Sequence, residues 1–116
     1  MQTLKINFSI GTAMVSVIYS TTATIADART IARTLVKEKL AACVHIIPTI
    51  ESIYRWHGKI EETDECALLA KTTEKNVQKA IHKIRSLHPY EVPEIIVFPP
   101  VGGLKEYLEY VEAETL

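Results

Sequence analysis

Cysteine is scarce in this chain. Cys43 and Cys66 are the two present among 116 residues, too few for a disulfide framework and at a spacing that fits no zinc pattern. A reducing, cytoplasmic setting is therefore the default expectation. Glycine is thin as well, with four residues, and neither a Walker loop nor a nucleophile elbow occurs. Neither sign of charge dominates. The formal net charge is −1, which is not the footprint of a protein that grips nucleic acid or an anionic membrane. No apolar run approaches the roughly 18 residues of a transmembrane helix. With 47% hydrophobic and 23% charged residues, the chain has ordinary globular usage, which excludes disorder. Its length is that of one domain able to bury its own core.

Residues 1–13 look like a separate N-terminal extension, expected to be flexible. They lack a secretory apolar core and the arginines of a transit peptide. Residues 14–116 are expected to form a single domain. Met14–Tyr19 is short, apolar and β-branched, as a buried strand is. Thr24 with Asp27 three residues on is a variant capping box. Ala28, Ile31, Ala32, Leu35, Val36 and Leu40 then recur at helical spacing, with Arg29, Arg33 and Lys37 opposite, so a helix is predicted over 25–41. Cys43 to His57 reads as a strand broken by Pro48. Gly58 supplies a turn, and Lys59 to Thr73 returns as a partner strand. Val77, Ala80, Ile81, Ile84 and Leu87 mark a second helix closed by Pro89. Glu94–Phe98 is a fourth strand, and Leu104, Tyr107, Leu108 and Val111 mark a last helix. The order β-α-β-β-α-β plus a C-terminal helix predicts an α+β, ferredoxin-like sheet with two helices on one face.

The middle hairpin is too long for that sheet. Residues 43–57 reach up to about 50 Å as a strand, whereas a 17-residue helix covers only about 25 Å. The tip, with Ile53, Tyr54, Trp56 and Ile60, must project past the core. A projecting aromatic edge invites pairing with another chain, so Tyr54 and Trp56 are expected at an interface between subunits.

Candidate chemistry is sparse. His88-Pro89-Tyr90-Glu91 puts an imidazole, a phenol and a carboxylate within four residues, a set able to ligate a metal or move protons. The competing account makes His88 a helix-end residue facing the last carbonyls. His45 and His57 are an even number apart on their strand but too distant to share a metal, and His82 reads as solvated. Cys43 and Cys66 read as inert packing thiols. In the cluster Glu61, Glu62, Asp64 and Glu65, alternation puts Glu62 and Asp64 on one face and the other two on the opposite face, as a solvated sheet surface. Activities common on this topology are missing their residues. VSVIY and CALLAK lack the stacking aromatics of an RNA-recognition module. Residues 20–24 hold neither a Cys-x-x-Cys metal loop nor a glycine-rich anion loop.

One signature remains. KEKLAACVHIIPTIESIYRWHGKIEE, LLAKTTE, HPYEVPEIIVFP and YLEYV follow in an order that closely resembles the CutA family, the divalent-cation tolerance proteins, over roughly residues 14–112. The resemblance implies a tight homotrimer similar to PII-type signalling proteins, with long hairpins paired between neighbours. It implies no catalytic activity and no obligatory cofactor, with Cu²⁺ or another divalent cation as a possible ligand. Bacterial members are linked to metal tolerance. Their proposed copper site uses a cysteine at the end of strand one and two adjacent histidines. Here Tyr19 stands in the cysteine's place and Leu87 in the first histidine's, which leaves His88 as the expected metal ligand. Tyr90 and Glu91 are its expected neighbours in an inter-subunit cleft. The alternative is a signalling or scaffold trimer that binds a small ligand or a protein partner in those clefts.

Overall fold

The computed structural model describes residues 15–116, so the extension expected at 1–13, and Met14, lie outside the described residues. The strands are β1 (Val15–Thr22), β2 (Cys43–Trp56), β3 (Lys59–Thr73) and β4 (Ile95–Phe98), and the helices are α1 (Ile25–Lys37), α2 (Val77–Leu87) and α3 (Lys105–Glu114). The sheet order is β2-β3-β1-β4, with every neighbouring pair antiparallel. This is the expected ferredoxin-like arrangement.

Local chemistry sets the element ends. Thr24 accepts a hydrogen bond from the Asp27 N–H at 3.1 Å and caps α1, satisfying one of the helix's orphan donors. The helix stops at Lys37, earlier than the apolar spacing predicts. Lys39 turns left-handed at φ 60°, and the N–H groups of Leu40 and Ala41 both fold back onto the Leu35 carbonyl. Strand β1 runs on to Thr22, past the predicted end at Tyr19, because it pairs with β3 as far as Cys66. The hairpin turn is two residues, His57 and Gly58, both at positive φ (50° and 78°). That geometry matches the right-handed twist of the flanking strands.

Alternation sorts the sheet into two faces. Ile18 of β1, Leu68 and Ala70 of β3, and Val44 and Ile46 of β2 pack under Ile31 and Leu35 of α1 and Ile84 of α2. An ion pair of 3.2 Å between Lys83 and Glu38 ties the two helices at the rim. The opposite face is mostly uncovered. Helix α3 closes only one end of it, by packing Val111 and Leu108 on Val15 and Ala42. Beyond that end, Val17, Tyr19, Leu69, Ile47, Ile96 and Phe98 share the open face by register.

Strand β2 is bulged at Pro48 rather than broken there. Ile47 pairs with Ala67 but Ile50 with Glu65, so Pro48 and Thr49 together oppose Cys66. Proline has no N–H to give the ladder, and the Cys66 thiol donates to the Pro48 carbonyl at 3.0 Å. The extra residue also cancels the even spacing of His45 and His57, so the two do not share a face by simple alternation. The hairpin beyond the bulge projects as expected. Ile53 and Ile60 are 64% and 66% exposed, and the subunit is elongated to 47 × 35 × 21 Å.

Candidate functional site

The segment after α2 folds back over the end of β1, and His88 is its anchor. The backbone of His88 ends the helix, its N–H bonding the Arg85 carbonyl. Its ring does not turn to the helix's last carbonyls. Nε2–H donates to the Thr21 carbonyl at 2.6 Å, and Nδ1 accepts the Tyr90 N–H at 3.2 Å. This pattern requires the neutral tautomer with the proton on Nε2. The side chain is 8% exposed. His88 thus fastens the loop to β1, and it has no ring nitrogen left over.

Tyr90 leans on the His88 ring, with centroids 4.7 Å apart. Its phenol reaches across to β3 and donates to Glu65 Oε2 at 2.7 Å. Burial and this bond to Glu65 push the Tyr90 pKa well above the ordinary phenol value. Tyr19 is raised in the same direction, first by burial and then by the negative charges of Glu94 and Glu65. On the far side of Tyr19, the Ser20 hydroxyl donates to the Glu94 carbonyl at 2.7 Å and holds the loop's exit beside β1.

These contacts frame a cavity of about 760 Å³ between the hairpin and the 88–94 loop. Glu65, Glu91 and Glu94 are among its lining residues, its aromatic walls are Tyr19, Tyr54, Trp56 and Tyr90, and Glu51 borders it from a β2 position that faces the helix side of the sheet by register. Among the described residues that line it there is no Lys, Arg or His. The size lies within the usual range for small-ligand sites. Tyr90 and Glu91, expected in a cleft between subunits, line this cavity of the single subunit, while His88 stands behind its wall as a fastening. Tyr54 and Trp56, expected at an interface, line the cleft in the single subunit with 41% and 43% exposure. Glu65 was legible only as solvated surface, and its role as the phenol's partner is a correction. The contact joins residues 25 positions apart, which no local pattern reports.

Among the described residues no group of three or more His, Cys, Asp or Glu side chains is placed to hold a metal ion. Cys66 is buried and bonded to Pro48. Cys43 is half-buried, not fully packed as expected, on the strand's other end. There Lys71 Nζ sits 3.9 Å from its sulfur and donates to His45 Nδ1 at 2.7 Å. His82 is exposed, as expected.

The CutA1 divalent ion tolerance protein family model matches residues 16–114. A divalent-cation tolerance protein CutA of Thermus thermophilus is 49% identical over 88 residues, which cover 76% of this chain and 85% of that one. A CutA homolog of Xenopus laevis is 50% identical over 84 residues, 72% of this chain but 56% of that longer protein. The chain spans about half the length of the vertebrate and plant relatives it matches. Among solved structures, the T. thermophilus protein superposes with a TM-score of 0.86 at 45% identity, over 88% of this chain and 99% of that one. CutA1 from Oryza sativa gives 0.88 at 36% identity, over 92% and 98%.

Proposed function

The chain belongs to the CutA1 divalent ion tolerance family, and from that premise we propose that it serves divalent-cation tolerance as a non-enzymatic homotrimer whose ligand site is the cleft beside Tyr90. The open sheet face carries this reading. Val17, Ile47, Leu69, Ile96 and Phe98 share that face by register, and Ile96 and Phe98 are 44% and 51% exposed. A contiguous apolar face of this kind marks an interaction surface. The sheet's two edges, β2 and β4, are different surfaces. Joining one edge to the other is a heterologous contact, which gives a ring when its rotation closes and not a two-fold pair. The projecting hairpin gives the ring its reach.

The cleft, not His88, is the better ligand site, because His88 has both nitrogens engaged. Light scattering at micromolar concentration tests the assembly. The expected mass is three times the 13.0 kDa chain. Phe98→Glu buries a charge in the interface and shifts the protein to smaller species. A 13.0 kDa monomer in the unmodified protein overturns the assembly.

A further inference from the structure

We infer that the outer face of the helical layer docks on the phosphate backbone of a nucleic-acid duplex, without reading its sequence. The inference is independent of the cleft and uses a face that the proposed assembly leaves free. That assembly joins subunits through the open sheet face and the sheet edges, whereas α1 and α2 cover the opposite face.

The first ground is segregation of charge. The near-zero net charge, which as a total argues against a grip on nucleic acid, hides it. Residues 24–40 and 74–88, the helical layer with its flanking turns, hold eight of the chain's 13 Lys and Arg but three of its 14 Asp and Glu. The other acids lie on the hairpin, the 88–94 loop and α3. The second ground is that these cations serve nothing inside the subunit. Arg29, Arg33 and Lys37 recur every four residues on α1, and Lys75, in the turn before α2, stands at the same interval from Lys79 within it. All five are exposed. Among the described residues none of the five has an acid partner, and the layer's one ion pair is that of Lys83 with Glu38. Like charges one turn apart repel and weaken a helix. A fold that keeps such rows unneutralised holds them for an outside partner of opposite charge.

The third ground is what the face lacks. Neither α1 nor α2 has an aromatic residue, so the face offers no platform for stacked bases, which is how single strands are held. The large apolar side chains of the two helices face the core, and the exposed ones are Val36 and Leu87, one on each helix. Two such side chains make neither a wedge for a bilayer nor a buried anchor for a peptide. Charge alone must supply the affinity. It does so best against a duplex, whose two backbones carry one charge per about 1.7 Å of axis and release condensed counterions on contact. The guanidinium groups of Arg29 and Arg33 match phosphate oxygens in pairs.

Fluorescence anisotropy of a labelled duplex DNA titrated with the full chain tests the inference. Micromolar binding is expected at about 50 mM salt, with log affinity falling against log salt at a slope of about −3 or steeper, as for three or more phosphate contacts. A second duplex of unrelated sequence binds within about twofold, because phosphate contacts carry no sequence information. The separated single strand binds more weakly. Arg29→Gln, Arg33→Gln and Lys37→Gln together lower the affinity at least about tenfold, and each lost cation flattens the salt slope by up to about 1. Lys75→Gln with Lys79→Gln lowers the affinity severalfold. The melting temperature of the α1 variant holds or rises, since repelling neighbours are removed, so its lost binding is not lost folding. Lys59→Gln with Lys105→Gln, outside the layer, leaves the affinity unchanged. No binding at low salt, a salt slope shallower than about −1, an equal loss in the Lys59 and Lys105 variant, or binding as tight to polyglutamate or to vesicles of phosphatidylserine and phosphatidylcholine overturns the inference.

Discussion

Replacing His88 by alanine separates a structural histidine from a metal ligand. The ring satisfies two backbone groups from different parts of the chain, the Thr21 carbonyl and the Tyr90 N–H. Alanine leaves both without this partner and opens space beneath Tyr90, whose ring packs against the imidazole. An unsatisfied buried group costs about 1–3 kcal/mol. Because Thr21 lines the cleft, water can recover part of that cost, and the net loss should be about 2–4 kcal/mol. Urea denaturation at one fixed protein concentration measures it, since assembly makes stability concentration-dependent. His88→Gln keeps a donor for Thr21 but not the acceptor for Tyr90, and should restore about half of the loss. Copper titration of the same variants supplies the opposing readout. If His88→Ala costs less than about 0.5 kcal/mol while abolishing the strongest Cu²⁺ site, the fastening role is refuted and His88 is a ligand.

Two further outcomes follow from local geometry. The Tyr90 pKa is raised above the 10.0 of a free phenol, first by burial and next by the bond to Glu65. Its contribution to stability is therefore complete below pH 10 and is lost as pH rises toward the folded-state value. An absorbance titration should show late-ionising phenols in the wild type and one fewer of them in Tyr90→Phe, since Tyr19 is raised as well. If all five tyrosines ionise together near pH 10, the Tyr90 environment is wrongly drawn. Gly58 sits at φ 78° with nothing within 4 Å of an added Cβ, so Gly58→Ala meets only backbone strain. It should cost about 1–2 kcal/mol, and Gly58→Asn should cost less by the same denaturation assay.

The sequence carried the element order because each signal was local. Thr24 with Asp27, the apolar period of α1 and α2, and Gly58 all act within a turn or two. Register-dependent features were less visible. The open apolar face could not be read from β4, since Ile95 to Phe98 is apolar at every position. Only pairing with β1 shows that Ile96 and Phe98 turn from the helices while Ile95 and Val97 face them. His88 was legible as a helix-end residue, and its backbone does end α2. Its ring partner, Thr21, lies 67 residues away, beyond any pattern in HPYE. The cleft has the same origin. Its walls come from β1, the hairpin and the 88–94 loop, and the fold alone brings them together.

Pro48 is where the sequence comes nearest to specifying the cleft. Before the bulge, the odd-numbered residues of β2, Cys43, His45 and Ile47, share the open face with Lys71, Leu69 and Ala67. After it, the even-numbered residues do so, since Ile50 opposes Glu65 and Tyr54 opposes Glu61. A one-residue shift in register moves every later side chain to the other face. Without the bulge, Tyr54 and Trp56 would lie on the helix side of the sheet, away from Tyr19 and Glu65. With it, they complete an aromatic wall opposite Tyr90. A bulge needs a residue that can leave the ladder and something to hold the displaced backbone. Proline meets the first need by lacking an N–H, and the Cys66 thiol meets the second by bonding the Pro48 carbonyl. Cys66, which reads as inert packing, thus helps to hold the bulge that turns the hairpin's aromatics toward the site.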